Sequence, residues 1–180
     1  MKEWLKIAML VDGWEPVVWW WQVHAKGLCE FLVLKHNCCV DLFTRKLKDW
    51  CWHKFVQNES LLKGKWNIFR VWPTAKFFNI FGRVFSLINL FFYLLYKYRK
   101  EKYDIIHAHT YVSWLPAILV WKIFKVPVVY TVHGASALGT KKKWIFAKIE
   151  KWLLTWIRYD LEIAVWKDFL KYENVNKNIV

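Results

Sequence analysis

Two histidines stand at the ends of two short apolar runs near the middle of the chain. His109 follows the run from Ile105 to Ala108, and His133 follows the run from Val126 to Val132. An imidazole at a strand end can act as a base, donate a hydrogen bond to a sugar hydroxyl or, when protonated, pair with a phosphate. These residue types therefore indicate acid–base or ligand-binding chemistry, provided that the fold brings the two side chains together.

The segment between these histidines predicts how they meet. Ser113 to Phe124 has the length of a helix, and Pro116 falls in its first turn, where proline is tolerated. A strand, a helix and a strand with short joins form a βαβ unit, which has parallel strands and a right-handed crossover. Parallel strands end at the same edge of a sheet, so His109 and His133 should meet where open α/β sheets bind ligands.

Two further histidines are candidates near this edge. His107 should share a strand face with His109, and a hydrogen-bonded core imidazole is the alternative interpretation of both residues, favoured for His107. His24 lies on the first predicted helix, just beyond the loop after strand one. Cys51 and His53 come nearest to a metal-binding pair, but a structural zinc site needs four ligands, so no metal site is predicted.

Apolar runs and helical segments alternate along the whole chain. Strands are expected at Leu5 to Val11, Cys38 to Phe43, Asn67 to Val71, Ile105 to Ala108, Val126 to Val132 and Leu161 to Val165. Helices are expected at about Gln22 to His36, Lys76 to Lys102, Ser113 to Phe124, Trp144 to Tyr159 and Lys167 to Glu173. This order predicts an α/β fold with a three-layer, Rossmann-like, doubly wound and mostly parallel sheet, as one domain over residues 1–180.

Two regions are less regular. Arg45 to Lys65 is polar and predicts a long surface loop, and Trp72-Pro73 is expected to end the third strand.

On the first helix, one broad buried face is predicted from the apolar residues Val23, Leu28, Phe31, Leu32 and Leu34.

The longest predicted helix, Lys76 to Lys102, is amphipathic. A polar stripe runs along it at spacings of three or four, through Asn79, Arg83, Ser86, Asn89, Tyr93 and Lys97. Its wide apolar side favours packing on the sheet, and an in-plane contact with an anionic membrane is the alternative. A membrane span is disfavoured, because Arg83 would enter the hydrocarbon at a cost of about 3 kcal/mol.

The chain of 180 residues is strongly basic, with a formal net charge of +14, and 57% of its residues are hydrophobic. Such a charge favours phosphates, acidic lipids or nucleic acid as partners. Nucleic acid is disfavoured, because the basic residues are dispersed and no recognition motif is present. The four cysteines lack a CxxC spacing and no signal peptide is visible, which predicts free thiols and a cytoplasmic location.

Tryptophan and glycine occur in unusual numbers. The chain has 15 Trp and 6 Gly, whereas average usage predicts about 13 Gly. The surplus occurs where a backbone would favour glycine, at Trp19, Trp20, Trp21, Trp50, Trp52, Trp72 and Trp166. One hypothesis is that these codons are UGA, meant as glycine and read as tryptophan; the alternative is a truly tryptophan-rich protein. With glycine at 19–21, strand one would lead through a phosphate-binding loop into a helix N-terminus.

Four segments together resemble the N-terminal domain of a family 4 glycosyltransferase of the GT-B type. They are EPVVWWWQVH, YDIIHAHTYVSWLPAIL, VPVVYTVHG and IAVWKDFLKYENVNKNIV. The family usually has glycines at positions 19–21, and Val-Ser where Val165-Trp166 stands. The resemblance implies that His133 contacts the transferred sugar as the catalytic histidine, with His109 and His24 on the acceptor side. It also implies a donor-phosphate loop built from Gly13, Trp19, Trp20, Trp21 and Gly134.

The resemblance further implies a reaction. A hexose would pass, with retention, from a nucleotide sugar to a lipid-linked or glycan acceptor in cell-envelope synthesis, with no cofactor and no essential metal. The C-terminal donor-binding domain is missing from these 180 residues, so the chain alone should be inactive. It would be cytoplasmic or peripheral on the inner face of the cell membrane. Two other functions stay open, a non-catalytic nucleotide- or phosphate-binding Rossmann-like module and a basic membrane-surface adaptor.

Overall fold

The computed structural model describes residues 4–15, 20–48, 58–76, 79–133 and 159–165, together with residues 148, 152, 178 and 180. Its strands are β1 Lys6–Val11, β2 Cys39–Leu47, β3 Asn58–Leu61, β4 Trp66–Ala75, β5 Ile105–Ala108, β6 Val128–Val132 and β7 Leu161–Ala164. These described strands form one sheet in the order β3-β4-β2-β1-β5-β6-β7. Neighbouring strands run parallel, apart from the antiparallel pair β3 and β4.

Three helices of the described chain cover the two faces of this sheet: α1 Trp20–His36, α2 Ile80–Glu101 and α3 Tyr111–Phe124. Side-chain caps begin two of them: the Asn79 side chain accepts a hydrogen bond from the Gly82 amide, and Thr110 accepts one from the Ser113 amide. One core packs α1 against one face, and a second core packs α2 and α3 against the other. The three-layer, mostly parallel α/β fold predicted from the sequence is confirmed.

The alternation of side chains along β1 separates these two cores. Ala8 and Leu10 belong to the core under α2 and α3, whereas Ile7, Met9 and Val11 belong to the core under α1. The strand is buried on both faces, as expected for a central parallel strand.

The predicted loop from Arg45 to Lys65 is wrong at both ends. β2 continues to Leu47, and Asn58–Leu61 forms the antiparallel edge strand β3; residues 49–57 lie outside the described residues. β4 also continues past Pro73 to Ala75. Within the described residues, β3 pairs with Trp66–Phe69 of β4, and no strand pairs with the later part of β4 on that side. Such an edge position tolerates a residue without an N–H.

The predicted buried face of α1 is also wrong in part. Val23, Phe31 and Leu34 are each more than half exposed. The face that meets the sheet carries smaller side chains, among them Ala25 and Cys29, which let the helix lie close to the strands. The periodicity therefore indicates a helix correctly but assigns its inner face incorrectly.

On α2, the polar stripe lies partly inward and much of the apolar side lies outward. Ser86 is buried, and Arg83 reaches the carboxylate of Asp12 at the end of β1. Leu90 and Leu94 complete the inner face. About half or more of the surface of each outward apolar side chain is exposed, at Phe81, Val84, Phe85, Ile88, Phe92 and Tyr96. The prediction that the apolar side of this helix packs on the sheet is therefore correct for only part of that side.

Among the described helices, none combines the length and the apolarity needed to cross a bilayer. The helices predicted from Trp144 and from Lys167 lie almost wholly outside the described residues, as do Trp19, Trp50, Cys51, Trp52, His53, Gly134 and Trp166.

Candidate functional site

His109 and His133 meet at the carboxyl edge of the sheet, on the face covered by α1. The backbone amide of His109 donates to the carbonyl of Leu10 at 2.9 Å, which continues the pairing of β1 and β5 beyond the last strand residue. His133 follows β6 directly. Nδ1 of His109 and Nε2 of His133 are 2.9 Å apart, so one ring donates a hydrogen bond to the other. The predicted meeting of these histidines is confirmed.

His107 supports this pair from within the sheet. Its ring stacks on that of His109 with 4.3 Å between centroids, and its Nε2 lies 2.7 Å from the hydroxyl oxygen of Thr131. His107 is buried, as the core-imidazole alternative predicts. It is a core imidazole with a partner, and it also buttresses His109 on the strand face predicted for both.

The first turns of α1 complete the cluster. Trp20 and His24 are four residues apart and therefore share one face of the helix. The His24 ring is 5.0 Å from that of His133 and 5.7 Å from that of His109, and the Trp20 ring is 5.1 Å from that of His133. The structure therefore places His24, a candidate residue on the first helix, beside the strand-end histidines.

The predicted donor-phosphate loop is placed differently from the expectation. Trp20 and Trp21 belong to the first turn of α1 and not to a loop, because the helix begins before Gln22. Gly13 is buried in the turn after β1. Trp19 and Gly134 lie outside the described residues, so the loop as a whole stays a prediction.

Three imidazoles of this cluster, those of His107, His109 and His133, are uncharged at neutral pH because their pKa values are lowered. Burial lowers the pKa of His107 to about 3, and the neighbouring His24 and His133 contribute to this shift. Burial, with a contribution from His24, lowers the pKa of His133 to about 4. The pKa of the fully buried His109 is lowered well below its ordinary value, also mainly by burial. His133 can therefore accept or donate a hydrogen bond, but it is poorly suited to act as a cationic partner of a phosphate.

Two ring nitrogens of the pair are free to take another partner. Nε2 of His109 and Nδ1 of His133 are buried and have no hydrogen-bond partner among the described residues. In addition, one ring nitrogen from each of His24, His109 and His133 lies within 4.8 Å of the others. Imidazole nitrogens suit zinc, copper, nickel and iron, so these three residues are the part of the described chain most suited to hold such an ion.

A buried ion pair lies at the same edge, on the face covered by α2. Nε of Arg45 is 2.8 Å from Oδ1 of Asp12, and Nη2 of Arg83 is 3.3 Å from Oδ2 of Asp12. Sequence reasoning missed this cluster. The available signal was Asp12 itself, an acidic residue directly after a buried strand, but nothing in the sequence pairs it with arginines 33 and 71 positions away.

Comparison with known protein families gives a match over most of the chain. The family model described as Glycosyltransferase Family 4 matches residues 55–171, which include β5, α3, β6 and both strand-end histidines. The UDP-Gal:alpha-D-GlcNAc-diphosphoundecaprenol alpha-1,3-galactosyltransferase of Escherichia coli is 39% identical over 69 residues. These residues are 38% of this chain and 16% of that enzyme.

Solved structures show the same fold at low sequence identity. Sucrose-phosphate synthase from Thermosynechococcus elongatus matches with a TM-score of 0.75 and 16% identity, over 98% of this chain and 47% of that one. A second structure of that synthase gives a TM-score of 0.69 and 15% identity, over 97% of this chain and 87% of that one. UDP-N-acetylglucosamine 2-epimerase from Rickettsia bellii gives 0.55 and 12%, over 94% and 41% of the two chains. The chain thus spans about half of the longer synthase chain.

Proposed function

Because the chain belongs to glycosyltransferase family 4, we propose that it is the acceptor-binding half of a retaining hexosyltransferase. The proposed reaction moves a hexose from a nucleotide sugar to a lipid-linked or glycan acceptor. The observation that supports this proposal best is the meeting of His24, His109 and His133 at the carboxyl edge of a parallel sheet. Ligands bind at this edge in open α/β folds.

The neutral state of His133 suits a sugar better than a phosphate. An uncharged imidazole can donate a hydrogen bond to one hydroxyl or accept one from it, whereas only the protonated ring attracts a phosphate by charge. We assign His133 to the transferred sugar, with His109 holding its ring through the 2.9 Å hydrogen bond. His24, on the exposed side of the cluster, would face the acceptor.

The donor diphosphate would lie on the side of α1, near Gly13, residues 19–21 and Gly134. A second, C-terminal domain would hold most of the nucleotide, so residues 1–180 alone should be inactive. Neither a cofactor nor an essential metal enters the proposed reaction. The name of the Escherichia coli relative supplies a first donor and acceptor to try, UDP-galactose and GlcNAc-diphosphoundecaprenol.

The test is a transfer assay on the protein made from the complete coding region, extended past Val180 if the reading frame continues. UDP release and product mass are measured with UDP-galactose and with other UDP-hexoses, using GlcNAc-diphosphoundecaprenol and simple glycans as acceptors. His133→Ala should lower the rate by about 100-fold or more. His36→Ala is the matched control, because His36 is exposed at the far end of α1.

Two outcomes would contradict the proposal. Nucleotide binding without transfer to any acceptor would favour the phosphate-binding module instead. Full activity of His133→Ala beside His36→Ala would remove the assigned role of the histidine while leaving the transferase assignment intact.

A peripheral contact with an anionic membrane is a second proposed property, supported by α2. The outward apolar side chains of α2 form a stripe, and Leu115, Leu119 and Ile123 form a shorter exposed stripe on the adjacent α3. The last turn of α2 carries Arg99 and Lys100, which match acidic headgroups in charge. Arg83, in the first turn of α2, is tied to Asp12 at the ligand edge, so a lipid-linked acceptor could reach the site from this surface.

Vesicle flotation tests this contact on the same protein. Binding to vesicles with acidic lipids should fall with Phe85→Ser and Phe92→Ser, and also with Arg99→Gln and Lys100→Gln. Phe31→Ser is the matched control, since Phe31 is similarly exposed on α1, across the sheet. Equal loss from the control, or binding that ignores lipid charge, would contradict an oriented anionic contact.

A further inference from the structure

Three imidazoles of this site converge closely enough to share one metal ion. Their ring nitrogens all lie within 4.8 Å of one another, and those of His109 and His133 are 2.9 Å apart. The ligands come from three separate elements: His24 from α1, His109 from the end of β5 and His133 from the end of β6. We propose that His24, His109 and His133 form a binding site for a divalent transition metal of the zinc class, which blocks the glycosyl-transfer site when it is occupied.

The donor set selects the class of ion. Three imidazoles, without a carboxylate or thiolate in the group, suit zinc, nickel, copper or cobalt and not magnesium or calcium, which prefer oxygen ligands. Zinc–nitrogen bonds of about 2.0–2.1 Å in a tetrahedral site place the ligand nitrogens roughly 3.4 Å apart. The observed nitrogen–nitrogen spacings, from 2.9 Å to at most 4.8 Å, lie on either side of this value. Small movements of the rings would therefore bring the three nitrogens to the spacing of a zinc site.

The hydrogen bonds around the cluster are compatible with such binding. The nitrogens of His109 and His133 that face each other share one proton, and a metal ligand must be unprotonated. When the ion binds, the shared proton moves to the other nitrogen of the same ring. Those outer nitrogens, Nε2 of His109 and Nδ1 of His133, have no hydrogen-bond partner among the described residues that this proton would displace. No charge has to enter the core apart from the ion itself.

The surroundings hold one of the ligands, His109, in place. His107 stacks on His109, and the Leu10 carbonyl accepts the backbone hydrogen bond of His109, so that this ligand is preorganised by the sheet. His24 is exposed, which gives the ion a path from solvent. Three protein ligands leave a fourth position for water or a substrate oxygen, as in open zinc sites.

Binding to the metal is measured on the protein without donor or acceptor. Isothermal titration with zinc should give one site per chain, and titration with cobalt should give the intense visible bands of a tetrahedral complex. His24→Gln changes an exposed residue and should weaken zinc binding by at least about tenfold. His36→Gln, on the same helix beside Cys38, should leave it unchanged.

Loss of binding in His36→Gln but not in His24→Gln would overturn the proposal by placing the ion elsewhere. Octahedral cobalt spectra, or equal affinity in both variants, would overturn it as well. Inhibition of glycosyl transfer by zinc rests on the proposed function. It is measured separately, as the transfer rate of the full-length enzyme with and without added zinc. Metal binding without transferase activity would therefore leave this site standing while the proposed function failed.

Discussion

Nδ1 of His109 and Nε2 of His133 are in hydrogen-bond contact at 2.9 Å, between residues 24 positions apart in the chain. His107 and Thr131 are separated by the same number of residues and are also bonded, at 2.7 Å. The register of β5 and β6, in which Ala108 lies opposite Tyr130, places both pairs on one face of the sheet. His133, directly after β6, is thus aligned by strand pairing.

The first prediction concerns His109 as a positioning residue. In the full-length enzyme, His109→Leu removes the hydrogen bond to His133 and should lower kcat by about tenfold, the equivalent of about 1.4 kcal/mol, with little change in KM. His109→Gln retains a donor and an acceptor and should recover part of the loss. Steady-state kinetics of both variants provide the check. Equal defects in Leu and Gln variants would mean that His109 acts only through packing.

The second prediction concerns stability in mild acid. The folded-state pKa values of His107 and His133 are lowered to about 3 and about 4, whereas an unfolded histidine titrates near the ordinary pKa of 6.5. The unfolded state therefore binds more protons between these values, and the free energy of unfolding must fall as the pH drops below about 6.5. Each buried neutral histidine adds up to about 1.4 kcal/mol per pH unit to this slope.

Urea denaturation between neutral pH and about pH 4.5 measures this slope. Replacing His107 with Gln should flatten the profile, whereas His36→Gln should not, because His36 is exposed. An unchanged slope in the His107 variant would show that other groups carry the acid sensitivity.

The third prediction concerns Trp20. Its ring lies 5.1 Å from that of His133, while 52% of its surface is exposed, so it covers the site and contributes little to the core. Trp20→Gly in the full-length enzyme should tighten UDP-sugar binding, at a stability cost of at most about 1 kcal/mol in the helix. Trp4→Gly removes a similarly exposed indole before β1, at the opposite edge, and should not affect binding. Weaker binding in Trp20→Gly would argue that the indole is a genuine ligand contact.

The fourth prediction concerns the codons. Trp14 and Trp66 are buried and pack edge to face, with 6.2 Å between ring centroids, so they fill space that glycine would leave empty. We expect UGG at these two positions and UGA at positions 19–21 and 72. The coding DNA decides this directly, and UGG at 19–21 would end the glycine hypothesis.

The fifth prediction concerns the buried ion pair at the ligand edge. The side chains of Arg45 and Asp12 are 2% and 7% exposed, and Asp12→Asn removes the negative charge that faces two arginines. The free energy of unfolding should fall by about 3–5 kcal/mol. Glu15→Gln breaks the exposed pair with Lys26 and should cost no more than about 1 kcal/mol. Comparable losses from the two variants in denaturant unfolding would contradict the structural role of Asp12.

Much of the fold could be predicted from the order of the apolar runs along the chain. Central parallel strands are buried on both faces, so β1, β5 and β6 appear as continuous apolar stretches whose ends mark the ligand edge. This is why the meeting of His109 with His133 could be predicted. The catalytic and binding roles of these residues stay predictions.

Other features depended on partners far away in the chain. Periodicity shows that α2 has a polar and an apolar side, but Arg83 and Ser86 turn inward because Asp12 and the helix backbone satisfy them. The same holds for Arg45, a charged residue that the sequence places in a loop and the structure places in β2. The local sequence pattern indicates which side chains prefer solvent. Whether a charged side chain is buried depends instead on whether the fold places an opposite charge beside it. Strand order, helix orientation and the exposed apolar stripe of α2 were therefore decided by tertiary contacts.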